Sequence, residues 1–274
     1  MLHHSGKSPR YRGWPVVVLV VFVGLLGLVV GSFLNVVVHR VPAGASIVSP
    51  PSACPNCDVR IRPRHNIPVV GWLLLRGKCA DCGAPISVRY PLIELLTGVL
   101  FVAVALRVTT PELPAYLYFT AMGIALSAID LETRRLPNAI VLPSYPVVAV
   151  LLTAAAAWQW DFWALLRAGI GGAALFAFFC VLAVSFPAGM GFGDVKLAGI
   201  IGMMLGFLSW RALVIGGFAG FVLGAVVGVA VMAARKGNRR TALPFGPFMV
   251  AGALLAVFTA DALTGAYLRT LGLF

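Results

Sequence analysis

Residues 189–197 read GMGFGDVKL, a glycine-rich stretch that ends in Asp194 where an apolar run begins. A second carboxylate, Asp130, closes another apolar run at residues 121–129. An Asp at the centre of a membrane helix costs about 2.5–3.5 kcal/mol, and less near the boundary. The chain has only nine Asp and Glu residues, so two of them beside apolar runs predict a functional pair. Two carboxylates that share a proton can activate water, which is the chemistry of aspartic peptidases.

The composition is that of a polytopic membrane protein. The 274 residues are 60% hydrophobic and 11% charged, whereas soluble domains are about 45–50% apolar and about 25% charged. The net charge is +12, but the cations lie in short segments between apolar runs, as the positive-inside rule expects of cytoplasmic loops. This arrangement favours a topology signal over nucleic-acid binding.

Eight apolar runs predict an all-α polytopic membrane protein with about eight transmembrane helices. As a helix, residues 194–208 would span about 22 Å, which is marginal for crossing a bilayer. With the N-terminus outside, the basic loops face the cytoplasm, and only Lys7, Arg10 and Arg12 disagree. The eight runs are residues 16–38, 91–107, 115–130, 137–157, 164–186, 194–208, 211–234 and 243–263.

In this topology both aspartates lie at the cytoplasmic membrane boundary, because Asp130 ends an inward-going helix and Asp194 begins an outward-going one. The two side chains can meet if the third and sixth helices pack together. Each residue also has an explanation without catalysis. Asp194 would serve as the N-cap of the sixth helix, and Asp130 would be a boundary residue paired with Arg134 or Arg135.

Residues 43–90 differ from the rest of the chain, since apolar runs shorten and proline, glycine and cations accumulate. This segment holds two CxxC motifs separated by 21 residues, and its cysteines are Cys54, Cys57, Cys79 and Cys82. The spacing predicts a structural four-cysteine zinc site. Two disulfides are the alternative, but a cation-rich loop is typical of the cytoplasm, where thiols stay reduced. Cys180 stands alone in an apolar run and is interpreted as a packing residue.

The chain carries a series of motifs whose order and combination resemble those of the type IV prepilin leader peptidase and N-methyltransferase family of bacterial pilus and type II secretion systems. The resemblance covers residues 24–255, nearly the whole chain. Its pieces are GSFLNVV at 31–37, the paired CxxC motifs, RYPLIELLTG at 89–98, Asp130 followed by LPN at 136–138, GMGFGDVK at 189–196, and LPFGP at 243–247.

The resemblance implies a GxGD-type intramembrane aspartic peptidase with Asp130 and Asp194 as its catalytic pair. It implies cleavage of a short basic leader from prepilins or pseudopilins, on the cytoplasmic side of the bacterial inner membrane. It also implies methylation of the new N-terminal amine by S-adenosyl-L-methionine. The partners are then pilin-like substrates and membrane lipid, with no nucleic acid.

The methyl-donor site is harder to place, because no GxGxxG motif follows a strand. Asn35, Arg40 and Glu94 are the candidate cofactor-binding residues, since they are polar positions near the membrane in the matching segments. The resulting division is an N-terminal tail at 1–15, a methyltransferase-like part at 16–108 with the zinc-binding loop 43–90, and a membrane peptidase domain at 109–274.

Three alternatives remain open from the residues alone. A transporter or channel would use the two aspartates as ion sites, and it should show inverted repeats and helix breaks near the midplane. A peptidase without methyltransferase activity would use Asp130 and Asp194 for cleavage and would not transfer a methyl group. A structural assembly protein that docks through its zinc loop would tolerate the loss of both aspartates.

Overall fold

The computed structural model describes residues 14–108, 111–186, 190–234 and 244–270. The described residues form long helices and contain no strand, and the longest connection, residues 41–88, lies between the first two long helices. The helices are α1 (Trp14–Arg40), α2 (Val70–Leu74), α3 (Arg89–Arg107), α4 (Leu113–Thr133), α5 (Asn138–Gln159), α6 (Phe162–Ser185), α7 (Phe192–Leu208), α8 (Trp210–Ala233) and α9 (Gly246–Thr270), with a 3-10 turn at Pro63–His65.

The prediction of an all-α polytopic membrane protein is confirmed. Each of the eight apolar runs corresponds to a long helix, and seven of those in the described ranges are long and apolar enough to cross a membrane. The exception is α7, which has 17 residues and a length of about 25 Å. Its middle is buried on all sides by other helices, so α7 is a core element of the bundle more than a lipid-facing span.

Glycines let the first two long helices pack closely as an antiparallel pair. A Cβ on Gly27 would lie 2.8 Å from the Cα of Gly98, and one on Gly31 would lie 2.7 Å from the Cα of Glu94. Neither distance is tolerated between real side chains, so only glycine allows α1 to approach α3 this closely. The face of α1 that carries Gly27 and Gly31 is therefore the surface that packs on α3.

Glycines also pack α8 against α9. A Cβ on Gly220 would lie 3.1 Å from the Cα of Met249, whereas one on Gly224 would be in ordinary contact with Phe245 at 3.5 Å. The glycines of α8 thus pack tightly against α9 at Gly220 and more loosely one turn later at Gly224.

A cluster of buried side chains joins the α1–α3 pair to α4. Its members are Leu34, Val37, Val38, Ile93, Ile124, Ala125 and Ile129. Because Ile129 directly precedes Asp130, this cluster holds the last turns of α4 at the end of the bundle that carries the four cysteines. We call this end the cysteine-loop end.

Some helix boundaries differ from those that the sequence predicts. The run 194–208 was expected to begin at Asp194, but α7 already begins at Phe192; residues 187–189, including Gly189, lie outside the described ranges. The segment predicted as the zinc-binding loop, residues 43–90, contains the short helix α2, and its last two residues begin α3. Helix α9 continues to Thr270, and residue 243 of the predicted eighth run is not among the described residues.

Candidate active site and metal centre

Asp130 lies in the last turn and a half of α4 and is only 5% exposed. Its Oδ2 accepts a hydrogen bond from the backbone N–H of Gly246 at 3.1 Å. The expected pairing with an arginine is not seen among the described residues: Arg134 is the left-handed C-cap of α4, and its backbone N–H donates to the carbonyl of Asp130. The Asp130 carboxylate is thus held by a main-chain amide from a distant helix.

The amide of Gly246 is fixed by aromatic packing around the start of α9. The ring of Phe245 lies 5.1 Å from Phe221 on α8 and 6.2 Å from Phe179 on α6. Gly246 has no room for a side chain, because a Cβ would lie 2.8 Å from Oδ2 of Asp130 and 3.3 Å from Cδ2 of Leu136. A glycine is required here because the backbone itself contacts the carboxylate.

Asp194 occupies the first turn of α7 and takes part in capping that helix. Its Oδ2 accepts from the backbone N–H of Gly191 at 3.2 Å, and its own N–H donates to the carbonyl of Gly191 at 3.0 Å. The expectation that Asp194 itself is the N-cap was therefore wrong in detail, since the N-cap residue is Gly191. The capping hydrogen bond uses one carboxylate oxygen and leaves the other for a different role.

The structure brings the two aspartates to the same end of the bundle. Leu136, in the α4–α5 connection, lies against Gly193 on one side and Gly246 on the other. Gly193 directly precedes Asp194, and Gly246 contacts Asp130. The two carboxylates are close enough to interact electrostatically. The sequence made this approach conditional on packing between the two helices. At this end α4 and α7 are linked through Leu136 and the start of α9.

The far end of α7 is held by two side chains. Arg167 on α6 donates to the carbonyls of Gly206, Phe207 and Leu208 at 2.8, 2.5 and 3.1 Å. Tyr116 on α4 donates to the carbonyl of Met204 at 2.7 Å. Because the last four carbonyls of a helix have no partner within it, the three bonds from Arg167 supply what the end of α7 lacks. Tyr116 adds a donor just before these last four carbonyls. The two side chains also set the position of α7, and with it the position of Asp194.

The four cysteines of the two CxxC motifs form one cluster. Their sulfur atoms all lie within 4.8 Å of one another, and the Sγ atoms of Cys54 and Cys82 are 3.8 Å apart. A tetrahedral zinc ion with bonds of about 2.3 Å separates its sulfur ligands by about 3.8 Å. All five cysteines of the chain are free thiols, so the alternative of two disulfides is not seen. The cluster can hold a metal ion, and its four thiols fit zinc.

The two CxxC motifs fold into matching turns. The N–H of Asp58 donates to the carbonyl of Cys54 at 2.9 Å, and the N–H of Gly83 donates to the carbonyl of Cys79 at 3.0 Å. Both donors stand four residues after the first cysteine of their motif, and both have positive φ, 55° and 71°. Each turn therefore presents its pair of sulfurs in the same way.

The thiols of the cluster carry opposite pKa shifts. The backbone N–H of Ala84 and the side chain of Asn56 donate to Cys82 and lower its pKa to about 6. The backbone N–H of Val59 acts to lower the pKa of Cys57, but desolvation and the three neighbouring sulfurs outweigh it and raise that pKa to about 12. Four thiolates at this spacing need a cation among them, which is what a bound metal ion supplies.

The three candidate methyl-donor residues lie along the cysteine-loop end of α1 and α3, and each has a partner. Asn35 donates to the carbonyl of Tyr90 at 3.1 Å. Glu94 is buried and accepts from the N–H of Val69 at 2.7 Å. Arg40 donates to two carbonyls of the following loop at 2.9 and 2.7 Å. Asn35 and Glu94 thus lie on neighbouring turns of packed helices, with Arg40 beyond them.

The sequence did not single out Gly246, Tyr116 or Arg167 as parts of the site. Arg167 could have been singled out from the sequence, because it is the one cation inside the apolar run 164–186. Gly246 stands before a proline in LPFGP, a pattern that leaves a free N–H at a helix start. Nothing in the sequence indicates that this N–H reaches a residue 116 positions away.

Two family models match the chain. One, described as the Bacterial Peptidase A24 N-terminal domain, covers residues 25–108, and the other, the Type IV leader peptidase family, covers residues 117–229. No solved structure matches the chain.

Three curated relatives carry the name Prepilin leader peptidase/N-methyltransferase. The protein from Stutzerimonas stutzeri is 35% identical over 89% of this chain and 92% of its own length. Those from Pseudomonas aeruginosa and Bacillus subtilis are 35% and 33% identical, over 90% and 89% of this chain and 93% and 96% of their own lengths. The resemblance indicated by the sequence motifs is confirmed, and the chain belongs to the type IV leader peptidase family.

Proposed function

We propose that this protein cleaves the basic leader peptide from type IV prepilins or type II secretion pseudopilins. The observation that carries the proposal is the placement of Asp130 and Asp194 at one end of the helix bundle, within electrostatic reach of each other. Family membership and the names of the relatives support the same activity. A transporter or channel is not favoured by any of these findings.

In the proposed reaction one aspartate is ionised and takes a proton from a water molecule, which attacks the scissile carbonyl. The other aspartate is protonated and donates a hydrogen bond to the carbonyl oxygen. Two carboxylates at close range divide the roles in this way because both cannot be ionised at low cost, and the titration belongs to the pair. The Gly246 amide keeps the Asp130 carboxylate oriented during this exchange.

The reaction takes place at the cytoplasmic face of the bacterial inner membrane in this proposal. The basic loops 131–136 and 235–240, with the basic segment 43–90, all belong to the cysteine-loop end in an eight-span topology, and basic loops stay in the cytoplasm. A substrate would enter as a membrane helix whose leader extends to Asp130 and Asp194.

The test uses Asp130→Asn and Asp194→Asn in the purified protein, with cleavage of a full-length prepilin followed on gels. Asparagine keeps the helix cap at Asp194, because it accepts the same hydrogen bond. Loss of cleavage therefore separates catalysis from capping. Asp161→Asn is the matched control, since Asp161 caps α6 by accepting from Ala164 at 3.0 Å. Substantial cleavage by either site variant would contradict the proposal.

The proposal includes transfer of a methyl group from S-adenosyl-L-methionine to the new N-terminal amine. The methyltransferase-like part would be residues 16–108 and the peptidase domain residues 109–274. Asn35, Arg40 and Glu94 remain the candidate cofactor residues, because they line the cysteine-loop end of α1 and α3. Methyl-labelled donor added with a pre-cleaved pilin should label it. Active cleavage without label would leave a peptidase alone.

The metal in the cysteine cluster is zinc in this proposal, with a structural role. Four thiol ligands leave no open coordination position for a reacting water. The two CxxC turns are 21 residues apart in the sequence, and an ion bound by all four sulfurs would hold them together. Zinc would thus keep the loop folded beside the proposed methyl-donor site without entering the chemistry.

A further inference from the structure

The short helix α2, between the two CxxC motifs, presents apolar side chains outward. Leu73 and Leu74 are 60% and 73% exposed, and Ile67 and Val70 are also exposed. Val70, Leu73 and Leu74 are spaced i, i+3 and i+4, so they share one face of the helix. The opposite side carries Gly71, which is buried. An exposed apolar face on a helix of about one and a half turns needs an occupant.

The attachment of α2 places it at the membrane boundary. The N–H of Val69, just before α2, donates at 2.7 Å to Glu94, which is buried in the second turn of α3. Because α3 is a membrane span beginning at Arg89, its second turn lies about 8 Å along the helix. The start of α2 is thus held beside the membrane-entering end of α3, and not at the tip of a free loop.

The charges within residues 59–80, the segment that carries α2, have one sign. Arg64, Arg76 and Lys78 flank the helix and are exposed. No Asp or Glu occurs between residues 59 and 80. Trp72 donates its indole N–H to the carbonyl of Ile86 at 3.0 Å, which fixes the ring within the helix–loop unit. Apolar side chains flanked by cations and a tryptophan are typical of helices that lie in a membrane interface.

We infer that α2 lies in the membrane interface on the cysteine-loop side. Leu73 and Leu74 enter the acyl region there, and Arg76 and Lys78 contact anionic lipid phosphates. Charge complementarity and the Glu94 attachment favour lipid over a protein partner, because a partner would have to reach the helix at the depth of the headgroups. The cysteine loop is consequently held against the bilayer at two points, Glu94 and the face of α2. This conclusion requires the membrane spans but neither proposed activity.

The test places the photoreactive residue p-benzoylphenylalanine at Leu73 or at Leu74 in the full-length, zinc-loaded protein. Vesicles contain either phosphatidylglycerol with phosphatidylethanolamine or phosphatidylcholine alone. After illumination, mass spectrometry identifies what the residue has captured. Position Ala80 is the control, because it is exposed beside Asp81, which pairs with Arg62 at 2.9 Å in a polar part of the same loop. Elution in size-exclusion chromatography and the temperature of thermal unfolding, both compared with the parent protein, show that each variant is folded.

The expected result is phospholipid adducts at Leu73 and Leu74 and none at Ala80. Arg76→Gln with Lys78→Gln should lower the adduct yield in vesicles that contain phosphatidylglycerol and leave the yield in phosphatidylcholine unchanged. Equal lipid capture at Ala80 and Leu74, or no lipid capture at either leucine, would overturn the inference. Capture of another protein at Leu74 in native membranes would also overturn it, in favour of a docking partner.

Discussion

Replacement of Gly246 by alanine should slow leader cleavage strongly while leaving the protein folded. The new Cβ would lie 2.8 Å from Oδ2 of Asp130 and 3.3 Å from Cδ2 of Leu136, so the carboxylate must move away from the amide that holds it. A hydrogen bond to a charged group is worth about 1.5–3 kcal/mol. If all of that loss appears in the barrier, kcat falls about 10- to 150-fold.

The assay is steady-state cleavage of a full-length prepilin by purified enzyme, with kcat and KM determined separately. Gly224→Ala is the matched control, because its Cβ would be in ordinary contact with Phe245 at 3.5 Å on the same side of α9. KM should change little in both variants, since the substitution acts on a reacting group. An unchanged kcat for Gly246→Ala, or an equal loss for Gly224→Ala, would refute the assigned role of the amide.

Three further predictions concern the supports of the site. Arg167→Met should destabilise the protein by about 1.5–3 kcal/mol, because it removes the donors at the end of α7. The control Arg107→Met breaks only an exposed ion pair and should cost about 0–1 kcal/mol. The free energies of unfolding in detergent compare the two variants, and equal losses would contradict the capping role of Arg167. Cys82→Ser should reduce bound zinc from about one ion per chain to nearly none, whereas the control Cys180→Ser should keep its zinc. Elemental analysis of the purified variants measures the zinc content, and zinc retained by Cys82→Ser would rule out the four-cysteine site. Arg89→Gln should change the cleavage rate by less than about fivefold, because its ion pair with Glu132 on α4 is partly open to solvent. A larger loss would show that the pair positions Asp130.

The helical architecture was readable from the sequence because lipid removes most other choices. A backbone in hydrocarbon must satisfy its own polar groups, so each long apolar run can only become a helix. The run 194–208 was the shortest of the eight. It forms α7, most of whose residues are buried inside the helix bundle. Because this run is only marginally long enough to cross a bilayer, the sequence already set it apart from the other seven apolar runs.

The boundaries that were missed all involve polar or glycine-rich residues near helix ends. Phe192 and Gly193 belong to α7 because Asp194 accepts from Gly191 and closes the first turn two residues earlier than the glycines suggested. Helix α2 was not anticipated because its five residues are too few for a periodic signal. Its exposed leucines point to a membrane contact because the hydrogen bond from Val69 to Glu94 holds α2 beside the membrane-entering end of α3.

The sequence by itself determined the membrane helices and the pairing of the two CxxC motifs, because both depend on local composition or spacing. It also predicted Asp130 and Asp194 as a functional pair. Only the tertiary structure decided how Asp130 is held, since its partner is a main-chain amide of Gly246, 116 positions away. The same holds for the anchoring of α7 by Arg167. A backbone N–H or carbonyl is present at nearly every position, so no residue pattern reveals which one a distant side chain will use.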